Sequence, residues 1–208
     1  MKAITELTGT AVPYLVDNVD TDQIIPARFL FRSRAKGFSD VLFHDIRFDG
    51  NGHPQDDFIL NDPIYSNVRF LVGGQNFGCG SSREHAVWAL LDYGIRCVIA
   101  PSFGDIFFTN ALKNGLLALV FEKPSYTELV SRTYKRPLEP LNLNLPRQTL
   151  ESPGGLKFTF SIDPVVKDRL IKGLGDIDVT LGYKNKIERF EKEYEASCYW
   201  LFSQSHQS

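Results

Sequence analysis

The chain has 208 residues, and its 23 lysine and arginine residues against 25 aspartate and glutamate residues give a formal net charge of −2. With 43% hydrophobic and 23% charged residues, it has the composition of a globular domain, which excludes a disordered chain. The nearly neutral charge also argues against a nucleic-acid-binding protein, because such proteins usually carry an excess of positive charge.

Three cysteines, Cys79, Cys97 and Cys198, stand far apart and form no C-x-x-C pair. This spacing predicts neither a disulfide framework nor a metal or iron–sulfur site held by this chain alone. The N-terminal sequence MKAITELTGT contains no apolar run, and no window approaches the roughly 20 apolar residues of a membrane-spanning helix. We therefore expect a cytoplasmic protein that does not enter the membrane.

The first third of the chain holds one predicted strand and a long irregular segment. Residues 8–16 have the composition of a strand, and an acidic, turn-rich stretch follows as far as Pro26. Glycine, proline, asparagine and aspartate are frequent in residues 32–67, which predicts a long loop. Its aromatic residues indicate that this segment packs against another part of the protein: Phe38, Phe43, Phe48, Phe58 and Tyr65.

From residue 68 onwards, strands and helices alternate. Buried strands are predicted over residues 68–74, 96–100 and 116–121, and a helix follows each of them. This alternation is typical of β-α-β units, and it predicts an α/β protein with a parallel sheet flanked by helices.

The C-terminal third of the sequence has a different pattern. Short strands are predicted around residues 141–145 and 156–162, and a helix opens at Asp163. A charged helix is predicted over residues 183–195, and the polar end, residues 203–208, is expected to fray.

The most informative motif follows the strand over residues 68–74 and reads GGQNFGCGSSREH from Gly73 to His85. It is not a dinucleotide fingerprint, because Arg83 occupies the position of the third glycine, and it is not a P-loop, because it contains no lysine. The free amides at a helix start, the close approach that glycines allow and the guanidinium of Arg83 instead predict a site for a small polyanion.

The residues of this motif leave more than one interpretation open. Ser81-x-x-Glu84 has the spacing of a capping box, and that spacing alone favours helix capping over catalysis. Arg83 also fits a surface arginine, and His85 a packed histidine. Cys79 has no charged partner in the sequence that would make it a nucleophile.

The acidic run over residues 17–22, DNVDTD, resembles a calcium loop only superficially. Counted from Asp17 or Asp20, the twelfth position is Arg28 or Phe31 and not the glutamate that such a loop requires. A turn held by Asx side chains is the simpler interpretation. The arginines that follow would join Arg83 around an anion: Arg28, Arg32 and Arg34.

Three segments together, residues 18–26, 76–86 and 99–107, resemble the small-subunit family of the 3-isopropylmalate dehydratases, which is related to the swivelling domain of aconitase. The likeness covers nearly the whole chain. It implies one swivelling β/β/α domain over residues 1–208, with a mostly parallel sheet flanked by helices. It further implies a flexible substrate loop at about 32–67 and a C-terminal helical extension at about 163–208.

The resemblance implies a role for each matching residue. Ser81 corresponds to the catalytic base. Because one hydroxyl cannot be both a free base and a fully engaged helix cap, any capping would be shared with Ser82. Ser82 and Arg83 would bind substrate, and Arg34 is the nearest match to a second substrate arginine, with Arg32 and Arg28 as alternatives. The remaining residues would line or support the site: Thr21, Asp22, Asp20, Gly80 and His85.

The same resemblance implies an activity. Members remove water from 2-isopropylmalate and add it back to give 3-isopropylmalate, in leucine biosynthesis, with a large-subunit partner that holds a [4Fe–4S] cluster. This chain would hold no metal, and the apolar residues 29–31 would shape the pocket for the isopropyl group. Small subunits of homoaconitase or of a citramalate or citraconate hydro-lyase, and a non-catalytic anion-binding regulatory module, remain alternatives.

Overall fold

A seven-stranded mixed sheet organises the chain in the computed structural model, which describes residues 1–202. Residues 203–208, for which fraying was predicted, lie outside the described residues. The strands are β1 (Glu6–Tyr14), β2 (Val68–Gly73), β3 (Cys97–Ala100), β4 (Leu117–Val120), β5 (Leu141–Asn144), β6 (Thr149–Glu151) and β7 (Lys157–Thr159). Their order across the sheet is β4-β3-β2-β1-β5-β6-β7.

The helices lie between and after these strands. Three of them are longer than two turns and follow the parallel strands: α3 (Glu84–Tyr93), α4 (Asp105–Asn114) and α5 (Ser125–Lys135). The others are α1 (Thr21–Ile24), α2 (His44–Arg47), α6 (Pro164–Lys172), α7 (Asp176–Leu181), α8 (Lys184–Ser197) and α9 (Tyr199–Phe202). No described helix has both the length and the apolar character that crossing a membrane requires.

Two apolar cores form on opposite faces of the sheet, because neighbouring strand residues point to opposite sides. Leu71 of β2 belongs to the core that contains α3, α4 and the segment over residues 32–67. Phe70 belongs to the second core, which contains α5, α6 and the antiparallel strands. The predicted α/β class is confirmed, with parallel pairing from β4 to β1 and antiparallel pairing from β1 to β7.

The segment over residues 32–67 contains helix α2 and several short 3-10 turns, at Arg34–Lys36, Ser39–Val41, Ile59–Asn61 and Pro63–Tyr65. The prediction that its aromatic residues pack is confirmed, since Phe38, Phe43 and Phe58 are buried in the same core as α3. Phe48 stays outside the buried set, and Arg47 lies over its ring. The flexibility of this segment stays a prediction.

The described residues divide into two compact units, of which the first is Met1–Gly173 and the second begins at Leu174. Helix α6 belongs to the first unit, because Ile4 N donates to Leu170 O at 2.9 Å and the Met1 amine donates to Gly173 O. The extension predicted from about residue 163 therefore begins before this division. The sequence patterns also missed β6 and α7, which are short. The prediction of one domain over residues 1–208 stays a prediction.

Candidate active site

Three turns meet at the edge of the sheet where the parallel strands end. The turn after β1 joins the turn after β2, since Thr21 N donates to Cys79 O at 2.9 Å and Gly78 N donates to Val19 O at 2.7 Å. The turn after β3 joins on the other side, where Phe77 N donates to Ser102 O at 3.0 Å. Ligands of open α/β sheets usually bind at such an edge.

Glycines allow this close meeting of backbones. Gly78 adopts φ +74°, and a Cβ atom there would lie 2.2 Å from the Phe107 ring. Gly80 adopts φ +89°, and a Cβ atom there would press against the Asp20 carboxylate at 3.1 Å. A side chain at either position would therefore be strained by its backbone conformation and would push the turn away from its neighbours.

Ser81 and Ser82 are exposed at this edge and do not cap helix α3. The helix begins at Glu84, its N-cap is Arg83, and no side chain accepts a hydrogen bond from its first amides. The capping box Ser81-x-x-Glu84, and any cap shared with Ser82, are therefore wrong. Glu84 instead accepts a hydrogen bond from the Asn114 side chain at 2.7 Å.

The guanidinium of Arg83 joins the two turns that carry the site. Its Nη1 donates to the Asp22 carboxylate and, at 3.3 Å, to Ile25 O. The arginine side chain is 18% exposed, and the hydrogen bond from it lowers the pKa of Asp22. Within the described chain, Nε and Nη2 of Arg83 have no such partner, which leaves these two donors available to an anion.

Thr21 and Asp20 fix the backbone of the turns that carry Ser81 and Asp22. Thr21 is 2% exposed, and its hydroxyl donates to Ser81 O at 2.8 Å, which fixes the backbone next to the Ser81 side chain. The Asp20 carboxylate accepts from Asp22 N, and Asp20 N donates to Gln23 Oε1 at 3.1 Å. The run over residues 17–22 is thus an Asx-capped turn, as predicted, and Asp20 opens helix α1.

The other arginines of the predicted basic cluster are each paired with a carboxylate of their own. Arg28 pairs with Asp45, and Arg32 donates to both oxygens of Asp40 at 2.8 and 2.9 Å. Arg34 pairs with Asp92 at 2.6 Å, near the last turn of α3, about 12 Å along the helix from its start. Arg34 is therefore held away from the start of α3, and its partner Asp92, 58 residues away in sequence, had no signal that would have predicted the pairing. Asp45 and, more weakly, Asp22 raise the pKa of Arg28, so Arg28 lies near the pair of Asp22 and Arg83.

His85 and Cys79 pack beside the site. The His85 ring lies 4.6 Å from the Trp88 ring and 5.4 Å from the Phe38 ring, measured between centroids, so it supports the segment over residues 32–67. The half-buried Cys79 thiol donates to Asn18 O at 3.3 Å. Among residues 1–202, no three His, Cys, Asp or Glu side chains are grouped as metal ligands would be.

Known proteins are similar to this chain in sequence and in fold. A family model described as the aconitase C-terminal domain matches residues 1–124. The 3-isopropylmalate dehydratase small subunit of Parvibaculum lavamentivorans is 43% identical over 97% of this chain and 100% of its own length. That of Brevibacillus brevis is 47% identical over 88% of this chain and 95% of its own length.

The chain belongs to the 3-isopropylmalate dehydratase small-subunit family. A crystal structure of 3-isopropylmalate dehydratase (leuD) from Methanocaldococcus jannaschii covers 90% of this chain and 99% of its own chain, with a TM-score of 0.63 and 24% identity. That likeness shows a shared fold. Membership of the 3-isopropylmalate dehydratase small-subunit family agrees with the sequence-based expectation, which depended on residues in three turns that the fold brings together.

Proposed function

We propose that this chain is the small subunit of a 3-isopropylmalate dehydratase, a hydro-lyase that interconverts 2- and 3-isopropylmalate through 2-isopropylmaleate in leucine biosynthesis. The observation that carries the proposal is an identity of 42–47% with relatives of that name, over 88–97% of the chain. The exposed edge with Ser81 and Arg83 gives such an enzyme a base and a carboxylate-binding group.

Ser81 is the proposed base. Its alkoxide oxygen takes the proton from the carbon beside a substrate carboxylate, the C–H electron pair forms the double bond, and hydroxide leaves the neighbouring carbon. The uncapped amides at the start of α3 and the charge of Arg83 favour the alkoxide over the hydroxyl. Because Ser81 is exposed in this chain, exclusion of water from the base depends on a covering surface.

Arg83 and Ser82 are the proposed ligands of a substrate carboxylate. The free edge of the Arg83 guanidinium offers two parallel donors, and the exposed Ser82 lies one residue away. Asp22 and Thr21 keep Arg83 and the Ser81 backbone in place, with Gly80, Asp20 and His85 as supporting residues. The substrate class that fits these groups is a small dicarboxylic hydroxy acid.

The large subunit is the proposed cover and the source of the Lewis acid. Loss of hydroxide from an unactivated alcohol needs a Lewis acid, and the family resemblance assigns a [4Fe–4S] cluster to the large subunit. The cysteines of this chain do not fit such a cluster, since Cys97 is buried in β3, where burial raises the pKa of its thiol, and Cys79 and Cys198 lie elsewhere. We propose that the enzyme acts in the cytoplasm.

The segment after helix α1 is the proposed source of substrate specificity. Phe31 is 97% exposed, whereas Phe29 and Leu30 pack against the first core. An exposed phenylalanine offers an apolar contact to the isopropyl group of the substrate. Arg34 and Arg32 reach the substrate only by exchanging Asp92 and Asp40 for its carboxylate.

Reconstitution with a large subunit of the same organism tests the proposal. The rate of formation of the unsaturated product from 2-isopropylmalate is measured by absorbance. Ser81→Ala is expected to lower kcat by about 10²–10⁴-fold while the two subunits still associate, because only the base is lost. The matched control is Ser66→Ala, an exposed serine outside the site, which is expected to keep full activity.

Three outcomes contradict the proposal. Near-normal turnover of Ser81→Ala removes Ser81 from the base role. A preference for citramalate, citraconate or homocitrate over 2-isopropylmalate moves the chain to a sister hydro-lyase, and no turnover of any of these acids favours the anion-binding module.

A higher ratio of citramalate to isopropylmalate turnover in Phe31→Ala supports the role of Phe31, and an unchanged ratio excludes it.

A further inference from the structure

A cavity lies at the end of the sheet opposite to Ser81. It has a volume of about 430 Å³ and opens where β2 and β3 begin, beside the last turn of α3. Its polar lining includes three cations and two carboxylates: Lys2, Arg69, Arg96, Glu6 and Asp92.

Two of these cations are neighbours across the sheet. Phe70 of β2 pairs with Cys97 of β3, so the preceding residues, Arg69 and Arg96, stand side by side on the face that carries α3. The backbone confirms this register, since Arg96 N donates to Arg69 O at 2.8 Å. Like charges opposite each other on neighbouring strands destabilise a sheet unless an anion lies between them.

The carboxylates of the cavity are already engaged. Asp92 accepts from both Nη atoms of Arg34, at 2.6 and 2.9 Å, and from Phe38 N at 2.9 Å. Glu6 accepts from the Asn144 side chain at 2.9 Å. The neutral amide of Asn144 leaves the charge of Glu6 in place, whereas Arg34 offsets that of Asp92, so the three positive charges of the lining face one carboxylate charge.

Of the three cations, Arg96 has the positive charge that neighbouring groups offset least. Arg69 Nη1 donates to Gly94 O at 3.0 Å, at the carbonyl end of α3, and Lys2 is exposed to solvent. Arg96 is half-buried, and among residues 1–202 no carboxylate oxygen lies within 4.0 Å of its guanidinium nitrogens. Burial and the charge of Arg69 lower the pKa of Arg96.

We propose that this cavity binds a small anion with two negative charges, a phosphate or a dicarboxylate, between Arg69 and Arg96. Two planar guanidinium groups on adjacent strands present donors to both ends of such an anion, and Lys2 closes the rim. Binding replaces the repulsion between the arginines with two ion pairs. The site is independent of the proposed function, because it shares no residue with the edge that carries Ser81.

Calorimetric titration of the full chain with inorganic phosphate, and separately with succinate, tests the proposal. The titration uses the Arg83→Gln variant at constant ionic strength, so that the edge with Ser81 does not bind the probe. We expect one ion per chain, and Arg96→Gln and Arg69→Gln each to weaken binding at least about tenfold. The matched control is Arg147→Gln, which removes one exposed arginine elsewhere and is expected to change the affinity less than twofold.

Three results overturn the proposal. They are binding no stronger than that of chloride, equal affinity in Arg96→Gln and its parent, and loss of affinity in Arg147→Gln as large as in Arg96→Gln. Circular dichroism and Tm show whether Arg96→Gln folds. If it does not, the exposed Arg69→Gln decides by the same tenfold criterion. Because no large subunit or turnover is needed, failure here leaves the dehydratase proposal untouched.

Discussion

Arg83 connects the turn after β2 with the turn after β1. Its guanidinium contacts Asp22 and Ile25, while its backbone forms the N-cap of α3 directly after the two serines. The pKa of Asp22 is lowered by this contact, so the pair stays charged at neutral pH. A rigid, already charged guanidinium loses little conformational entropy on binding a carboxylate, so its planar shape contributes to binding as well as its charge.

Arg83→Lys tests this at the residue scale. Lysine keeps the positive charge but loses the planar pair of donors, so we expect kcat/KM for 2-isopropylmalate in the assembled enzyme to fall about 10–100-fold, mainly through KM. Steady-state kinetics measures the effect, and Arg147→Lys is the control. An unchanged KM would show that Arg83 does not bind the substrate.

The elements that hold the site are turns, and each depends on a residue that no helix or strand pattern specifies. Gly78 combines a positive φ with contact to the Phe107 ring, and Gly104 packs so closely that a Cβ atom there would lie 2.6 Å from Gly78 O. The turns after β2 and β3 are therefore packed backbone against backbone, which leaves no room for a side chain.

Gly78→Ala is expected to destabilise the protein by at least about 2 kcal/mol, because alanine is strained at this φ and its methyl group overlaps the Phe107 ring. Denaturant unfolding measures the change. Gly50→Ala is the control, since its Cβ atom meets nothing within 4 Å, and we expect a change within about 0.5 kcal/mol. Equal effects of the two substitutions would contradict the packing at Gly78.

The segment over residues 32–67 has two kinds of phenylalanine. Phe38 is fully buried against His85 and Trp88, whereas Phe31, just before the segment, is almost fully exposed. We expect Phe38→Ala to lower the free energy of unfolding by about 3–5 kcal/mol and Phe31→Ala to leave it within about 0.5 kcal/mol. Chemical denaturation of both variants measures this, and a small loss in Phe38→Ala would mean that the segment is loosely held.

At the scale of the whole molecule, the sheet is covered on both faces, and a charged cluster closes the second core. Glu139 accepts from Arg132 at 2.6 and 2.9 Å, from Ser152 Oγ at 2.8 Å and from Gly154 N at 2.6 Å. These bonds tie α5 to the turn between β6 and β7. The Arg132 hydrogen bond is the main cause that lowers the pKa of Glu139 from 4.5 to about 2.

This pKa makes the stability of the fold depend on pH. A carboxylate with a lowered pKa stabilises the folded state above its ordinary pKa of 4.5, and that contribution is lost as the pH falls from there towards 2. We expect Glu139→Gln to lower Tm by a few degrees at pH 7, and the difference from the parent to vanish near pH 2. Thermal melts across this range measure it. Glu151→Gln, at an exposed pair with Lys157, is the control. A difference that is constant with pH would contradict the role of the Glu139 charge.

The sequence by itself determined the alternation of strands and helices from residue 68 to α5, because apolar runs and helical spacing are local properties. It also placed Ser81, Arg83 and Asp22 in turns that follow predicted strands, because turn-forming residues after an apolar run are a local signal. It did not predict β6, whose sequence TLE holds a single apolar residue and so shows no alternation.

Only the tertiary structure decided which groups these residues meet. Arg83 finds Asp22 across 61 residues, and Arg34 finds Asp92 across 58, so that one arginine faces the site and the other is held at the far end of α3. The start of α3 at Glu84 also depends on a contact between distant residues. The Thr21 hydroxyl donates to the Ser81 carbonyl, which holds Ser81 in the turn and leaves its hydroxyl outside the helix. Such choices depend on side chains that become neighbours only after the sheet has formed, and local sequence carries no record of them.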